Sequence, residues 1–244
     1  MFSRETTDGK LVCRWKSMSN VETKRVAIEV SKTVYVSGLW QRPSRAWSCL
    51  MIAPGAGAGM EHPFMAEMAA ELNALGIATL RYQFPYLERG GRRPDPPAMC
   101  HATVRAAVRV SASHARGLPH FAGGKSFGGR MTSQAQAANP LDGIRGLAFI
   151  GFPLHPRGKP SAERGAHLDD VRVPMLFLQG TRDEFATLSL LHSLMRRLGP
   201  SATLGLFKDA NHSFHAPART GRTDAQVRAE LVVTLAKWMK AVLN

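Results

Sequence analysis

The sequence predicts an α/β fold with a mostly parallel twisted sheet and helices on both of its faces. From about residue 24 to the end, stretches typical of strands alternate with stretches typical of helices. Most of the strand stretches are continuously apolar, as expected for parallel strands that are buried on both faces. No linker rich in proline, glycine or serine interrupts this alternation. We therefore expect a single domain over residues 21–244, preceded by a loosely ordered lead-in at residues 1–20.

The first half of the predicted sheet begins at an edge. Residues 25–30 and 33–40 alternate apolar and polar side chains, which predicts an antiparallel hairpin. A nearly continuous apolar strand at 47–53 then runs into Pro54-Gly55-Ala56-Gly57-Ala58-Gly59. The next helix has Pro63 in its first turn and Gly76 after its last, and a strand at 77–82 follows.

A loop rich in proline and arginine, residues 84–97, leads into the next helix. Asp95 is expected to cap this helix, and Pro96 is expected to occupy its first position. Its buried face should carry Cys100, Val104, Ala107 and Ser111.

The second half repeats the alternation of strands and helices. Strands are expected at 120–122, 146–152, 173–179 and 202–207, helices at 129–139 and 188–198, and an irregular segment from 153 to about 171. The last helix should begin with a capping box of Thr223 and Gln226. Its buried stripe is Val227, Leu231, Leu235, Trp238 and Val242. Loops that follow parallel strands converge at one sheet edge, where a ligand site is expected.

The composition excludes several classes of protein. The formal net charge of +14 would suit a nucleic-acid partner, but the 32 Lys and Arg residues are spread along the chain without a basic block or a nucleic-acid-binding motif. A solvated basic surface is therefore the favoured interpretation. No run of 18 apolar residues suits a membrane span, and residues 1–20 do not resemble a signal peptide. Cys13, Cys49 and Cys100 have no pair spacing, which favours reduced thiols in a cytoplasmic protein.

The most informative motif is Gly123-Gly124-Lys125-Ser126-Phe127-Gly128, which fits Gly-x-Ser-x-Gly. In this nucleophile elbow a strand turns sharply into a helix and presents the serine hydroxyl above the sheet. An ordinary glycine turn is the alternative, but the flanking strand and helix patterns favour the elbow. A phosphate-binding loop is excluded, because the position that requires its first glycine is Pro119.

A serine hydroxyl needs a base to accept its proton, and the base needs an acid to hold its tautomer. On such a sheet the expected chain order is serine, acid, histidine. Asp183 fits the acid best, because it follows the buried strand 173–179 directly. The other candidates are Asp142, Asp169, Asp170, Glu184, Asp209 and Asp224.

His212 fits the base best, because it lies in the loop between the last strand and the last helix. His215 is the fallback for this role. His192 is expected to be a surface residue of a helix, and His155 and His167 are the remaining candidates.

Two backbone N–H groups are expected to bind a developing oxyanion. One belongs to Phe127, the residue after the serine, and the other to Ala56 in the glycine-rich loop. A flexible turn is the alternative for that loop. A serine at the elbow indicates acyl transfer, whereas aspartate or cysteine would indicate other hydrolase chemistries.

Taken together, these residues resemble the α/β-hydrolase fold, and within it the dienelactone-hydrolase-like branch with the KANL3/Tex30-type predicted hydrolases. The landmarks are Ala53-Pro54-Gly55-Ala56-Gly57, His62-Pro63-Phe64-Met65, Arg81-Tyr82-Gln83-Phe84-Pro85-Tyr86, Gly91-Arg92-Arg93-Pro94, residues 123–130, Gln179-Gly180-Thr181-Arg182-Asp183 and Asn211-His212-Ser213-Phe214. The resemblance covers roughly residues 24–244. It implies Ser126, Asp183 and His212 as the catalytic triad and neither a metal nor an organic cofactor. No large inserted cap domain is expected, which together with the glycine-rich loop predicts an open site for small substrates.

Two basic features leave alternatives open. Arg89, Arg92 or Arg93 could bind a substrate carboxylate or phosphate, although pairing with Glu88 and Asp95 is the favoured interpretation. Lys125 either points to a structural partner or adds positive potential near the oxyanion.

The leading hypothesis is a cofactor-independent serine hydrolase that cleaves a small carboxylic ester or thioester through an acyl-enzyme. A peptidase for short peptides is the enzymatic alternative. A binding or scaffold protein that keeps the fold without turnover is the alternative from another class. The oligomeric state is left open.

Overall fold

The structure, a computed structural model, describes residues 21–244 and, before them, the backbone of two short antiparallel strands, β1 (Thr6–Thr7) and β2 (Lys10–Leu11). Apart from those four residues, the lead-in predicted for residues 1–20 lies outside the described part of the chain, and so does Cys13.

Eight further strands form the main sheet, and six α-helices connect or flank them. The strands are β3 (Thr23–Ser31), β4 (Val34–Gln41), β5 (Ser48–Ala53), β6 (Ile77–Tyr82), β7 (His120–Lys125), β8 (Ile144–Ile150), β9 (Met175–Gly180) and β10 (Ala202–Phe207). The helices are α1 (Pro63–Ala74), α2 (Pro85–Glu88), α3 (Pro97–His114), α4 (Phe127–Ala138), α5 (Leu188–Leu198) and α6 (Asp224–Leu243). Short 3-10 helices occupy Glu163–Asp170, Gly199–Ser201 and Ala218–Thr220.

The sheet is mostly parallel, in the order β10-β9-β8-β7-β5-β6-β4-β3. All pairs from β10 to β6 are parallel, whereas β4 pairs antiparallel with both β6 and β3. The predicted edge hairpin is therefore confirmed. The carboxyl ends of β5, β7, β9 and β10 meet at one edge of the sheet, so the loops that carry the predicted site residues lie near one another.

The core has two layers, one on each face of the sheet. In β5 the side chains alternate: Cys49 and Met51 pack in one hydrophobic cluster, whereas Leu50 and Ile52 pack in the other. Helices α3, α4 and α5 supply buried residues to the first cluster, and α1 and α6 supply them to the second. The predicted parallel sheet with helices on both faces is thus confirmed.

The start of α6 shows the predicted capping box. The Thr223 hydroxyl accepts from the Gln226 backbone N–H at 3.2 Å, and the Gln226 side chain accepts from the Thr223 N–H at 2.8 Å. Val227, Leu231, Leu235 and Trp238 are buried, as the stripe predicted, while Val242 is partly exposed. Such a cap contributes about 1 kcal/mol to helix stability.

The predicted cap of α3 is wrong. Pro96 is the N-cap of this helix, which begins at Pro97, and no side chain caps it. Asp95 instead accepts a hydrogen bond from the Tyr86 backbone N–H at 2.7 Å and one from Arg89 at 2.6 Å. It therefore satisfies a free donor in the first turn of α2, a four-residue helix that the sequence pattern did not predict.

The two described cysteines are free and buried. Burial raises the pKa of Cys49 and that of Cys100 to about 12, so both are neutral thiols that pack as small apolar groups. Cys100, Val104, Ala107 and Ser111 are all buried along α3, as predicted.

Candidate active site

Ser126 occupies a strained turn between β7 and α4. Its backbone has φ 50° and ψ −116°, a positive-φ conformation that is uncommon outside glycine. The Ser126 N–H donates to the Ile150 carbonyl at 3.0 Å, which anchors the turn to the neighbouring strand. The side chain is thereby directed away from the sheet, as the elbow motif predicts.

The two flanking glycines of the motif are required by close backbone contacts. A Cβ atom on Gly124 would lie 2.6 Å from the Ala53 carbonyl oxygen, and one on Gly128 would lie 2.4 Å from that of Pro54. Neither contact is sterically possible, and the atoms contacted belong to the backbone, which cannot move aside as the end of a flexible side chain can. The motif thus lets α4 begin directly against the end of β5, which brings Ser126 beside the Gly55–Ala58 loop.

His212 lies between Ser126 and Asp183. Its Nε2 is 2.8 Å from the Ser126 Oγ, and its Nδ1 is 2.7 Å from the Asp183 Oδ2. Because the carboxylate can only accept, Nδ1 carries the hydrogen, which leaves Nε2 free to accept the hydroxyl proton of Ser126. The structure therefore brings together the three side chains that the sequence singled out.

Asp183 is held by donors besides His212. Its other oxygen accepts from the Phe185 backbone N–H at 2.9 Å, and the Gln179 amide donates to Oδ2. Gln179 is itself fixed, because its side-chain oxygen accepts from the Phe152 N–H at 2.9 Å. This positioning residue was not among the predicted site residues, since a glutamine at a strand end carries no motif of its own.

Lys125 contacts a structural partner in the histidine loop. Its ammonium group donates to the His212 carbonyl at 2.6 Å and lies 5.4 Å from the centre of the Phe214 ring. Burial lowers the pKa of Lys125 to about 8, and the negative charge of Asp183 partly opposes this shift. One of the two open interpretations of Lys125 is therefore resolved: it ties the histidine loop to the end of β7.

The predicted oxyanion donors both line the cavity above Ser126. Phe127 is the first residue of α4, so its N–H has no acceptor within the helix. Ala56 lies in the glycine-rich turn after β5, and its carbonyl accepts from the Tyr86 hydroxyl at 2.8 Å. The turn is thus held from the side by α2 instead of being free to move as a simple flexible loop.

A cavity of about 490 Å³ opens beside Ser126 and His212. Its apolar wall comes from Phe64, Met65, Phe127, Pro153 and Phe185. Two arginines that were not among the predicted site residues, Arg130 and Arg164, also line the cavity. One signal was available: Arg130 follows Ser126 by one helical turn and so shares its face of α4.

The arginines of the loop at residues 84–97 are not placed as expected for substrate binding. Arg89 pairs with Asp95, while Glu88 accepts from the Ser37 backbone and hydroxyl. Arg92 and Arg93 are exposed and are not among the residues that line the cavity. A role for Arg92 and Arg93 in substrate binding stays a prediction that this geometry does not favour.

The remaining histidine and acid candidates lie in other contacts. His215 pairs with Asp224 at 2.9 Å, and the His155 Nε2 accepts from the Thr187 N–H at 2.9 Å. His167 contacts the Ser133 hydroxyl at 2.8 Å, and burial lowers its pKa to about 4. His192, Asp142 and Asp170 are exposed, Asp209 is partly exposed in its turn, and Asp169 and Glu184 pair with Arg197 and Arg157.

The described residues include neither a metal-binding cluster nor a membrane-spanning helix. No group of three or more His, Cys, Asp and Glu side chains in that part of the chain is placed to hold a metal ion. Nor does any of its helices combine the length and apolar character needed to cross a bilayer.

Comparison with known proteins identifies the family. A family model described as an alpha/beta hydrolase domain matches residues 46–240. A dienelactone hydrolase from Anabaena variabilis superimposes with a TM-score of 0.73 at 19% identity, covering 91% of this chain and 99% of that one. An alpha-beta serine hydrolase homologue from Coxiella burnetii gives 0.70 at 20% identity, covering 91% and 100%.

A third similar structure is XC6422 from Xanthomonas campestris, described as an a/b serine hydrolase without lid, with a TM-score of 0.69 at 20% identity and coverage of 91% and 98%. At these identities the structural likeness concerns the fold alone, which here also has no large cap. The family match covers most of the sequence, and the predicted fold class is confirmed by it. The chain belongs to the alpha/beta hydrolase domain family.

Proposed function

We propose that the protein is a cofactor-independent serine hydrolase that cleaves a small carboxylic ester or thioester. The observation that carries this proposal is the continuous chain of hydrogen bonds from the Ser126 hydroxyl through His212 to Asp183. Ser126 and His212 line a cavity to which Phe127 and Ala56 also contribute. The similar structures described as a dienelactone hydrolase and as serine hydrolases support the same reaction class.

In the proposed reaction, the Ser126 oxygen attacks the carbonyl carbon of the ester while His212 Nε2 takes the hydroxyl proton. The carbonyl oxygen gains the negative charge, and the N–H groups of Phe127 and Ala56 donate to it. Asp183 stabilises the imidazolium that forms and keeps the hydrogen on Nδ1. The carbon–oxygen or carbon–sulfur bond then breaks, and His212 returns its proton to the leaving group.

The second half of the reaction repeats these roles with water. His212 removes a proton from a water molecule as the water oxygen attacks the acyl group on Ser126. The bond between the acyl carbon and the serine oxygen breaks, and the proton passes back to that oxygen. The carboxylic acid leaves, and the free serine is restored.

The size and exposure of the cavity support a small substrate. A volume of about 490 Å³ lies within the range of small-molecule sites, and no large cap covers it. A dienelactone-hydrolase-like or KANL3/Tex30-type specificity is part of this proposal.

The proposal also includes a cytoplasmic location. The free thiols of Cys49 and Cys100 support it.

Fluorophosphonate labelling tests the proposal directly. We expect the wild type to be modified with one label per chain, and Ser126→Ala to remain unlabelled. Ser189→Ala, which removes an exposed hydroxyl on α5, is the matched control and should label like the wild type. In turnover of 4-nitrophenyl acetate, Ser126→Ala and His212→Ala should each lose several orders of magnitude, because such groups act as a unit.

A folded wild type that neither labels nor hydrolyses simple esters would contradict the proposal and favour the scaffold alternative. Folding is checked by circular dichroism on the same samples. A wild type that cleaves short peptides but not esters would favour the peptidase alternative.

A further inference from the structure

Arg130 is a cation directed toward the candidate active site without an acidic partner. It lies one helical turn after Ser126 on α4, and its guanidinium carbon is 5.7 Å from the centre of the Phe127 ring. Its Nε atom is buried and has no hydrogen-bond partner among the residues that the structure describes. A buried polar group of this kind is costly unless something else satisfies it.

Arg164 is the second cation at the same cavity, and it comes from the 3-10 helix Glu163–Asp170. The two positive charges repel each other. Burial lowers the pKa of Arg130 first, and the charge of Arg164 lowers it further. Within the described chain, no carboxylate lies within 4.0 Å of a nitrogen of either arginine.

This contrasts with the other described arginines that are at least partly buried. Arg222 and Arg228 pair with carboxylates, and Arg81 and Arg105 donate to backbone carbonyl oxygens. The arginines that are exposed can be satisfied by water, whereas Arg130 and Arg164 are only partly exposed and show neither kind of contact within the described residues. Two partly buried cations that line the same cavity are expected where a bound anion completes the arrangement.

The lining of the cavity carries no negative charge. None of the described residues that line the cavity is acidic, and three of them are Lys125, Arg130 and Arg164. Behind Arg130, burial lowers the pKa of His167 to about 4, so this histidine is neutral and cannot be an additional cation at neutral pH. The cavity therefore carries a positive charge next to apolar walls, in a position that a substrate of Ser126 must occupy.

We infer that Arg130 and Arg164 bind a negatively charged oxyanion group, a carboxylate or a phosphate, on the substrate that Ser126 attacks. This inference rests on the proposed function, and it deepens it by naming the substrate class: an ester or thioester that carries a second, anionic group. The planar guanidinium of arginine can donate two parallel N–H bonds to either anion. The apolar wall of Phe64, Phe127 and Phe185 would contact the uncharged part of the molecule.

Matched esters test the inference. On the alcohol side we compare 4-acetoxybenzoate and 4-acetoxyphenyl phosphate with the neutral methyl 4-acetoxybenzoate. On the acyl side we compare mono-4-nitrophenyl adipate with its neutral methyl ester. Each kcat/KM is divided by the rate constant for hydrolysis of the same ester by hydroxide, which removes differences in intrinsic reactivity. We expect at least one anionic ester to be preferred by about tenfold or more over its neutral counterpart.

The preference should fall by about tenfold in Arg130→Gln and in Arg164→Gln, and should decrease with added salt. Arg130→Lys keeps the charge but loses the paired donors, so it should restore part of the preference. Arg145→Gln removes an exposed arginine at the opposite end of β8 and should leave the preference as in the wild type. If Arg130→Gln does not fold, the loss of preference for anionic esters is measured in Arg164→Gln alone, and that result decides whether the inference holds.

The outcomes separate the two proposals. A wild type that hydrolyses neutral esters but prefers none of the anionic ones overturns this inference and leaves the proposed function intact. A preference that survives both glutamine variants, or that is lost in Arg92→Gln with Arg93→Gln instead, also overturns it. Absence of both turnover and fluorophosphonate labelling overturns the proposed function and this inference with it.

Discussion

Lys125 is a half-buried cation between the two reactive groups of the candidate site. It precedes Ser126 in the chain and donates to the His212 carbonyl, so its amine helps to fix the distance between the two loops. The same position removes the ammonium from water, which lowers the pKa of Lys125 from 10.5 to about 8. The hydrogen bond does not need the charge, because a neutral amine still donates.

The lowered pKa predicts a pH dependence of stability. The unfolded chain keeps the proton on Lys125 up to about pH 10.5, whereas the folded chain releases it near pH 8. Between these values the unfolded state binds more protons, so the free energy of unfolding rises with pH. Relative to Lys125→Met, the wild type should gain on the order of 2 kcal/mol between pH 8 and pH 10.

Urea unfolding at a series of pH values measures this gain. Lys208→Met, which removes an exposed lysine near the same loop, is the control and should show no such difference from the wild type. A gap between the wild type and Lys125→Met that stays constant with pH would contradict the prediction.

Single residues differ in how far the sequence could predict them. Ser126, Asp183 and His212 could be singled out because each follows a strand and because the chain order of such groups is restricted. Arg130 and Arg164 could not, since whether an arginine finds an acidic partner depends on contacts between distant elements. The same reason explains Asp95, which lies at the right spacing to cap α3 but contacts Tyr86 and Arg89 instead.

Helix α2 holds the glycine-rich loop at the candidate site. The Tyr86 hydroxyl donates to the Ala56 carbonyl, and the rings of Phe84 and Tyr86 pack against Phe127 at 5.5 and 6.4 Å between centres. One short helix therefore contacts both segments that supply the proposed oxyanion donors. Asp95 in turn fixes the first turn of this helix.

This arrangement predicts the effect of Tyr86→Phe. The variant keeps the aromatic packing but loses the hydrogen bond to Ala56, so the loop should occupy its present position less often. We expect kcat for 4-nitrophenyl acetate to fall by about tenfold, a smaller loss than the removal of an oxyanion donor itself. The free energy of unfolding should decrease by about 1 kcal/mol.

Steady-state kinetics and urea unfolding check both numbers. Tyr35→Phe removes the hydroxyl of an exposed tyrosine on β4 and serves as the matched control. Unchanged kcat in Tyr86→Phe, together with the lost stability, would show that the hydrogen bond matters for folding but not for the site.

Elements could be predicted where the chain marks their ends. The strand β6, the helix α5 and the strand β10 coincide with their predicted ranges, because glycine, proline or polar turns border each of them. Helix α2 was missed because four residues are too few to show a helical period. Its packing on Phe127 joins two elements that are far apart in the sequence, so it depends on how the strands pair and could not be predicted from one segment.

At the scale of the whole molecule, the charge is far from balanced, with 32 basic and 18 acidic residues. The alternation of apolar strands and helices was enough to predict a parallel sheet covered on both faces. It was not enough to predict the strand order, because periodicity describes one segment at a time and order depends on which segments pair. Among the described residues, the buried Arg81 and Asp183 carry opposite charges that balance, so the excess of positive charge belongs to residues that reach the surface.

That surface excess predicts how stability depends on salt. With 32 basic and 18 acidic residues, more repulsive than attractive pairs act over long range, and the repulsion destabilises the compact state. Raising NaCl from about 10 mM to about 150 mM shortens the screening length from about 30 Å to about 8 Å. The wild type should gain about 1 kcal/mol, or about 2–4 °C in Tm.

Thermal unfolding followed by circular dichroism measures this dependence, and KCl at equal ionic strength controls for specific effects of the cation. The double variant Arg116→Gln with Arg145→Gln removes two exposed positive charges, so its Tm should rise less with salt than that of the wild type.

Local ion pairs should have the opposite dependence on salt. Arg228 bridges Glu67 and Glu71 between α6 and α1, and screening weakens such contacts. A Tm that falls with salt would mean that these short-range attractions outweigh the long-range repulsion of the net charge.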